Sequence, residues 1–345
     1  MKIALLLNDN PKSAENWLNA ASAKGIPLHT INMFSHRWQS EIEKSSAELF
    51  LVCPSGVSSL LKRFHDERLE ILSRVLGKRI YPGLLELQLH ENKRYLYQWL
   101  AAKNIPHPKT WIFLDKGESL EHIKTAVFPL VVKMAIGASG YNVHVFKNGA
   151  MMERHVRRMF SGGIAPKSGP NLKMGNWRSR IRFVLKHPHH ILDRLSIYRK
   201  VQKDLQRDYV ILQQYIPHDF EWRVVRIGES YFGHQKVKQG EKASGGKGII
   251  YIPPPDALLD FVRELCETNN FRSMAVDLFE DGRGGYLVNE LQTVFGHVQD
   301  HICEMNGQPG RFFKHDGGWH FEAGRFNENL SYNLRLEDAL TIIQK

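Results

Sequence analysis

Short apolar runs alternate with helical patterns over the first ninety residues. IALLL and ELFLVCP are strand-like, and AENWLNAASAKG lies between them. We predict a further helix from Val57 to Leu76, because apolar residues recur there at an approximate period of 3.6 up to Gly77. This alternation predicts a small parallel α/β domain over residues 1–90.

Residues 91–150 predict a second unit that ends in two paired strands. A helix through Leu96, Trp99 and Leu100 is followed by the strand TWIFL and the helix SLEHIKTAV. PLVVKM and YNVHVFK then read as antiparallel strands around a loop of small residues, from Gly137 to Gly140.

Lys133 ends the first of these two strands, and the loop Gly137, Ala138, Ser139 and Gly140 follows it. Backbone N–H groups in such a loop can face an anion, while the lysine supplies a point charge. The P-loop and dinucleotide-binding orders of residues are both absent. The alternative interpretation is a strand lysine whose charged end reaches solvent.

The alternation of strands and helices stops at residues 151–208, which carry most of the net positive charge. The segment holds 14 Lys/Arg and 4 Asp/Glu, so it contributes +10 to a net charge of +11. Its loop half has few apolar residues, which predicts a basic insertion without a core of its own. The insertion is either a solvated flap or a surface that attracts anions.

From Tyr209 onward the chain is rich in strands. YVILQQYI, EWRVVRIG, SYFGHQKVK and KGIIYIP precede a helix from Ala257 to Asn270. SMAVDLFED and GGYLVNELQ then form a hairpin around residues 281–285. We predict a lobe over 209–305 and an extension over 306–345, without clear periodicity before a helix near Leu336–Ile343.

Composition agrees with a soluble globular protein, at 42% hydrophobic residues and a mean hydropathy of −0.37. No stretch approaches the roughly 20 apolar residues that span a bilayer, and the N-terminus reads as a strand rather than a signal peptide. Cys53, Cys266 and Cys303 are far apart in the sequence. They predict buried thiols and a cytoplasmic protein.

The closing hairpin predicts a metal site made of oxygen ligands. Alternation places Glu290 and Gln292 on one face of the second strand, and an antiparallel register can bring Asp277 opposite them. One or two carboxylates completed by substrate phosphates are typical of Mg²⁺, and Mn²⁺ is an alternative. The competing interpretation is a solvated strand face.

The stretch VILQQYIPHDFEWRVV predicts a strand that turns into an exposed linker. Edge backbone groups at such a linker can pair with the N6 donor and N1 acceptor of an adenine. Glu221 and Arg223 lie on one face of the next strand, and Glu221 could accept from ribose hydroxyls. Without further context the stretch is equally a strand–turn–strand with surface charges.

In this order, the elements resemble the ATP-grasp superfamily, and most closely its glutathione-synthetase and RimK-like carboxylate–amine ligases. The resemblance covers residues 90–150 and 209–300. It implies an α/β fold with an N-terminal parallel α/β domain and two α+β lobes that clamp ATP. The departures are Asn92 before Lys93 where the family has Asp, Gln292 where it usually has Asn, Thr293-Val294 after it, and the basic insertion.

The resemblance also implies a role for each candidate residue. It assigns ATP phosphates to Lys93 and Lys133, and a lid to Gly137, Ala138, Ser139 and Gly140. It assigns adenine to Gln214, Tyr215 and Ile216, ribose to Glu221, and the metal to Asp277, Glu290 and Gln292. It assigns the acyl phosphate or acid to Arg223, and phosphate or acid contacts to Lys236 and Lys238.

The implied activity is ADP-producing formation of an amide from a carboxylate and an amine, through an acyl phosphate. The basic insertion favours an anionic acid substrate, such as a uronic-acid glycan or a peptide, and allows association with an anionic surface. The alternatives are an ATP-grasp phosphotransferase and a non-catalytic polyanion- or nucleic-acid-binding protein that uses residues 151–208. A nucleic-acid partner is not expected, because carboxylates near its phosphates would repel it, and the oligomeric state stays open.

Overall fold

The structure is a computed structural model, and it describes residues 2–137, 142–166, 199–239, 242–243, 248–295 and 301–344. The predicted lid residues Ala138, Ser139 and Gly140 therefore lie outside the described residues, as do residues 167–198, which make up most of the predicted basic insertion. Within the described part, no helix is long and apolar enough to cross a membrane.

The N-terminal unit is a parallel sheet with helices on both faces. Its strands, in the spatial order β2-β1-β3-β4, are β1 (Ile3–Leu7), β2 (Leu28–Asn32), β3 (Leu49–Val52) and β4 (Ile80–Tyr81). Its helices are α1 (Glu15–Ala23), α2 (Trp38–Lys44) and α3 (Ser59–Glu70), which continues as a π-helical turn over Ile71–Val75. Alternate residues of β1 and β3 enter separate cores on the two faces, as parallel sheets require. The predicted parallel α/β unit is confirmed, although β2 and α2 were not predicted.

The central lobe is an antiparallel sheet in the order β5-β8-β6-β7. Its strands are β5 (Thr110–Phe113), β6 (Leu130–Lys133), β7 (Val143–Phe146) and β8 (Val210–Gln214). Its helices, including a short one that leads into the lobe, are α4 (Leu84–Leu89), α5 (Lys93–Ala102), α6 (Lys116–Thr125) and α7 (Gly149–Met159).

Helix α7 changes the start of the predicted basic insertion. Met152, Val156 and Met159 are buried in the largest core, because they recur at positions i, i+4 and i+7 of one helix face. Residues 151–159 therefore pack as part of the lobe, with their arginines directed outward. An antiparallel β-bridge between Ile164 and Gln206 then joins the two chain segments that flank the rest of the insertion.

The C-terminal lobe is built on a nine-stranded sheet with the path β14-β13-β9-β10-β16-β15. The strands are β9 (Phe220–Ile227), β10 (Ser230–Gln239), β11 (Lys242–Ala243), β12 (Ile249–Ile250), β13 (Ser273–Glu280), β14 (Tyr286–Gln292), β15 (Glu304–Met305), β16 (Gln308–His315) and β17 (Gly318–Ala323). Helix α8 (Asp256–Thr268) covers one face, and one core joins this lobe to the central lobe.

The C-terminal residues form more structure than their weak periodicity predicts. Strands β16 and β17 form a hairpin that extends the large sheet. Helix α9 (Tyr332–Gln344) returns to the N-terminal unit, where the Tyr332 and Trp17 rings meet edge to face at 4.8 Å. Residues 306–345 therefore tie the two ends of the chain together.

Candidate active site

Three charged residues form a row across neighbouring strands of the large sheet. Asp277 on β13 pairs with Glu290 on β14 and, on its other side, with Arg223 on β9. The antiparallel register between β13 and β14 thus places Asp277 opposite Glu290. Since strands lie about 4.8 Å apart, the three side chains share one layer on one face of the sheet.

Asp277 is the centre of this row and is only 2% exposed. It accepts from Arg223 Nε at 2.7 Å and Nη2 at 2.8 Å, and from Lys236 Nζ at 2.6 Å. Burial alone would raise the pKa of Asp277, but Arg223 and Lys236 outweigh it and hold the pKa well below its ordinary value. Asp277 is therefore ionised and fully neutralised by the protein's own cations.

Lys236 carries the network on to Glu221. Its Nζ lies 2.8 Å from Glu221 Oε2, and the lysine is itself buried. Burial would lower the pKa of Lys236, but Asp277 and Glu221 raise it. Buried charges are stable only when they are paired, so Lys236 holds both carboxylates in place.

A β-bulge in β14 adds a residue that the sequence did not single out. Asp277 pairs with Glu290 while Leu278 pairs with Val288, so Asn289 is the extra residue. Its amide Nδ2 lies 3.4 Å from Glu221 Oε1, on the same side as the row. Bulges re-aim side chains in this way.

Lys133 reaches this bulge from the central lobe. Its Nζ donates to Asn289 Oδ1 at 2.7 Å and to the Tyr97 hydroxyl, and the Tyr97 hydroxyl in turn donates to the Asn289 carbonyl at 2.9 Å. The lysine is buried at the end of β6. It therefore points into the cleft between the two lobes rather than toward solvent.

Lys93 enters the same cleft from the first turn of α5. Its Nζ lies 3.1 Å from Glu290 Oε1 and 3.2 Å from the Gly137 carbonyl oxygen. Burial would lower the pKa of Lys93, but Glu290 and Glu91 raise it. Glu91 has a positive φ of 49° and accepts from the Gly137 N–H at 3.2 Å, so it fixes the base of the predicted lid loop.

The predicted hinge residues lie at the other end of the cleft. Gln214 ends β8 with an exposed side chain, and Tyr215 and Ile216 follow it. Lys238 Nζ lies 2.8 Å from the Tyr215 hydroxyl and 5.3 Å from its ring centroid, so Lys238 belongs with the hinge and not with Asp277.

A cavity of about 440 Å³ opens beside the hinge, and it is lined by Phe128, Pro129, Val145, Lys147 and Tyr215. Aromatic and aliphatic walls with a few polar groups are typical of sites for flat ring systems.

The predicted residues thus fall into two groups. Those that converge in the cleft are Lys93, Lys133, Gly137, Glu221, Arg223, Lys236, Asp277, Glu290 and Gln292. Those at the hinge are Gln214, Tyr215, Ile216 and Lys238. Sequence reasoning missed Glu91, Tyr97 and Asn289, which hold the converging lysines.

The donor set fits Mg²⁺ better than a softer metal. Asp277 and Glu290 are cross-strand partners, and Gln292 Oε1 lies 3.5 Å from Arg223 Nη2 at the same end of β14. Among the described residues, no group of three or more His, Cys, Asp or Glu could hold an ion unaided. Two carboxylates and an amide that need phosphate oxygens to complete the shell are what Mg²⁺ commonly uses.

Four cations and four carboxylates balance one another in this cleft. The cations are Lys93, Lys133, Arg223 and Lys236, and the carboxylates are Glu91, Glu221, Asp277 and Glu290. Seven of these eight side chains form ion pairs within the set, and Lys133 joins them through Asn289, whose amide lies near Glu221. Together, these described side chains carry no net charge. The cleft can therefore take up an anion and a cation together at little electrostatic cost.

No family model matches the chain. A curated relative, phosphoribosylamine–glycine ligase of Clostridium acetobutylicum, is 22% identical over 156 residues, which are 44% of this chain and 35% of the relative. The match thus spans about a third of the relative's length.

Solved structures match over much more of the chain. A RimK domain ATP-grasp protein from Sphaerobacter thermophilus is 16% identical, with 86% of this chain and 92% of that one covered and a TM-score of 0.52. D-alanine–D-alanine ligase from Bacillus anthracis is 12% identical, with 100% and 99% covered and a TM-score of 0.55. N5-carboxyaminoimidazole ribonucleotide synthetase from Thermotoga maritima is 14% identical, with 87% and 70% covered and a TM-score of 0.52. At these identities the likeness is one of fold.

Proposed function

We propose that this chain, which has the ATP-grasp fold, is an ADP-producing carboxylate–amine ligase that uses Mg·ATP. The observation that carries the proposal is the neutral network of four cations and four carboxylates in the cleft. The names of the matched ligases, in which an amine or amino acid is joined to a second amino acid, support the same reaction class.

Mg·ATP would bind by replacing some of the contacts within this network. Phosphate oxygens would take the place of Glu290 on Lys93 and of Asn289 on Lys133, while Mg²⁺ would be held by Asp277, Glu290 and Gln292. The purine would enter the cavity beside Tyr215, with Glu221 near the ribose. When bound, Mg²⁺ neutralises charge that develops on the transferring phosphate.

Positioning and charge account for the rest of the chemistry. Asp277 accepts from Nε and Nη2 of Arg223, so an acid substrate would bind the other N–H groups of this guanidinium, which has five donors in all. Arg223 lies next to Asp277, on the neighbouring strand β9. An acid held there would attack the γ-phosphate to give an acyl phosphate and ADP. An amine would then displace phosphate to form the amide. No protein nucleophile is needed.

The charge of the basic insertion supports an anionic acid substrate. Residues 151–208 carry +10, and the bridge between Ile164 and Gln206 roots the segment beside the central lobe. A basic surface near a cleft raises the local concentration of anions. We infer that the acid is part of a larger anionic molecule, such as a uronic-acid glycan or an acidic peptide.

Hydroxylamine trapping tests the reaction without knowledge of the natural amine. The protein is given Mg·ATP, hydroxylamine and, in turn, glucuronate, oligogalacturonate and a glutamate tripeptide, and hydroxamate and ADP are quantified. The proposal expects acid-dependent formation of both in equal amounts. ADP with a phosphate ester but no hydroxamate would mean phosphotransfer. Polyanion binding that falls steeply with salt and needs no nucleotide, with no ADP formed, would mean a binding protein.

A further inference from the structure

The row of side chains that contains Glu290, Asp277 and Arg223 continues onto the next strand, β10. His234 on β10 pairs with Arg223 across the strands, and it is buried. The Tyr251 ring centroid lies 6.1 Å from that of His234 and 4.5 Å from that of His301. A line of side chains therefore leads from Glu290 and Asp277, through Arg223, to His301.

His301 is the accessible end of this line. Its side chain is 23% exposed and lies 3.2 Å, Nε2 to Oε2, from Glu304, which is 30% exposed. The two atoms are at ion-pair distance but are not aligned for a hydrogen bond, since Nε2 is buried with no hydrogen-bond partner. With Glu304 on the Nε2 side, Nδ1 is the ring nitrogen left to meet a substrate.

The line orders the reactants in the sequence in which the reaction uses them. Phosphate-binding lysines lie at the Glu290 end, the proposed acid site is at Arg223, and His301 lies beyond it. An amine must approach an acyl phosphate from the side of the acyl carbon, away from the lysines that hold the phosphates. His301 stands on that side.

Resting on the ligase function proposed above, we propose that His301, oriented by Glu304 and packed against Tyr251, is the catalytic base that deprotonates the amine substrate. The ammonium group R–NH₃⁺ gives one proton to His301 Nδ1. The freed nitrogen lone pair attacks the acyl carbon, the C–N bond forms and the C–O bond to phosphate breaks. The second proton of the nitrogen leaves with the phosphate as HPO₄²⁻.

Two ionisable neighbours of His301, Tyr251 and Cys303, stay neutral in the pH range in which a histidine works. Burial, with a smaller contribution from Glu304, raises the pKa of Tyr251 to about 12, and its hydroxyl donates to the His301 carbonyl oxygen. Burial raises the pKa of Cys303 to about 11. His234 Nδ1 is paired with the Ile302 carbonyl. His301 Nε2 and Glu304 Oε2 lie at ion-pair distance, 3.2 Å, and a carboxylate beside an imidazole stabilises the imidazolium that forms when the base takes up a proton.

A second histidine–carboxylate pair in the chain provides a matched control. His315 Nε2 lies 3.2 Å from Asp316 Oδ2, the same distance, but the two side chains are 66% and 86% exposed at the tip of the β16–β17 hairpin. This pair lies outside the line from Arg223. His315→Gln therefore changes the same chemistry without touching the proposed amine site.

Two small nucleophiles separate the proposal from loss of the ligase site. At pH 7 hydroxylamine is unprotonated and needs no base, whereas ammonium must lose a proton. With the acid that gives most hydroxamate, His301→Gln should leave the hydroxylamine rate within about twofold of wild type and lower the ammonium rate roughly 100-fold, the lower limit for general bases. The loss should shrink as pH rises to 9. Glu304→Gln should show a smaller loss, and His315→Gln none.

Each other outcome counts against the proposal. Equal losses with both nucleophiles would assign His301 a structural role, and an unchanged ammonium rate would remove it from the mechanism. Failure of the wild type to use ammonium while hydroxylamine reacts would exclude a proton acceptor at this position. Absence of hydroxamate in the wild type would instead overturn the ligase function, and this inference with it.

Discussion

Asp277→Asn should be among the most destabilising isosteric changes in this chain. The aspartate accepts three charge-assisted hydrogen bonds, two from Arg223 and one from Lys236, and is 2% exposed. Asparagine has nearly the same shape but no charge, and its NH₂ group would face a cation. The substitution therefore leaves the buried Lys236 with Glu221 as its remaining ion-pair partner and removes the carboxylate that accepts from the half-buried Arg223.

The expected cost follows from the removal of one partner of a buried ion pair, about 3–5 kcal/mol. Unfolding entropy of about 2.1 cal/mol/K per residue gives roughly 0.7 kcal/mol/K for a chain of this length. The melting temperature should therefore fall by about 4–7 °C. Because the pKa of Asp277 is far below its ordinary value, the stabilisation is present above the unfolded pKa of about 3.9. It is lost only as pH falls toward the folded pKa, so the difference should be constant from pH 8 to 5.

Calorimetry on the wild type, Asp277→Asn and Asp281→Asn measures this cost. Asp281 is the matched control, since it lies in the turn of the same hairpin, is exposed, and accepts only from the N–H groups of Arg283 and Gly285. Its replacement should shift the free energy of unfolding by less than about 0.5 kcal/mol. If Asp277→Asn had the same melting temperature as Asp281→Asn and the wild type, the ion-pair network would not stabilise the fold as its geometry indicates.

Two further predictions concern the nucleotide and a buried histidine. Mg·ADP at about 100 times its Kd should stabilise the wild type by roughly 2.7 kcal/mol, a gain of about 4 °C. Glu290→Gln should lose the magnesium-dependent part of that gain, whereas Glu280→Gln, on the same hairpin, should keep it; equal behaviour of the two variants would remove Glu290 from the metal site. Burial lowers the pKa of His155 to about 4, so the unfolded chain binds its proton first and stability falls as pH drops below the unfolded value of about 6.5. Urea unfolding at pH 7 and pH 5 measures this effect. Between these two pH values the free energy of unfolding of His155→Gln should fall by up to about 2 kcal/mol less than that of the wild type. For the control His36→Gln, at an exposed histidine, the free energy of unfolding should fall as much as for the wild type. An equal fall in His155→Gln would contradict the argument from the buried histidine.

The strands of the site could be predicted from sequence, but their register could not. The Gly-rich turn pairs Glu280 with Tyr286, and counting outward from that pair places Asn289, not Glu290, opposite Asp277. The bulge at Asn289 shifts the pairing by one residue and brings Glu290 opposite Asp277. Strict alternation from Glu290 places Val288 on the same face, yet Val288 is buried in the core and Asn289 faces the cleft. The bulge depends on the partner strand and leaves no local signal.

Parts of the fold were missed for different reasons. Strand β2 is an edge strand whose residues are mostly half-buried or exposed, so LHTIN has no apolar alternation. Helix α7 was hidden by its arginines, although its methionines keep a helical period. The β16–β17 hairpin did carry a signal, since Asp316-Gly317 has positive φ at both positions and Asp-Gly is a strong hairpin turn.

The balance of charges in the cleft explains which residues pair with Lys133 and Lys93. A buried lysine needs an acceptor within the protein. Lys133 finds the amide of Asn289 and the hydroxyl of Tyr97, whereas Lys93 finds Glu290 and the Gly137 carbonyl. An amide or hydroxyl releases a lysine at less cost than a carboxylate does, and a carboxylate released from a lysine becomes available to a metal ion. In the proposed Mg·ATP complex, a neutral partner therefore suits Lys133, where phosphate would replace Asn289. A carboxylate suits Lys93, because Mg²⁺ would replace this lysine on Glu290.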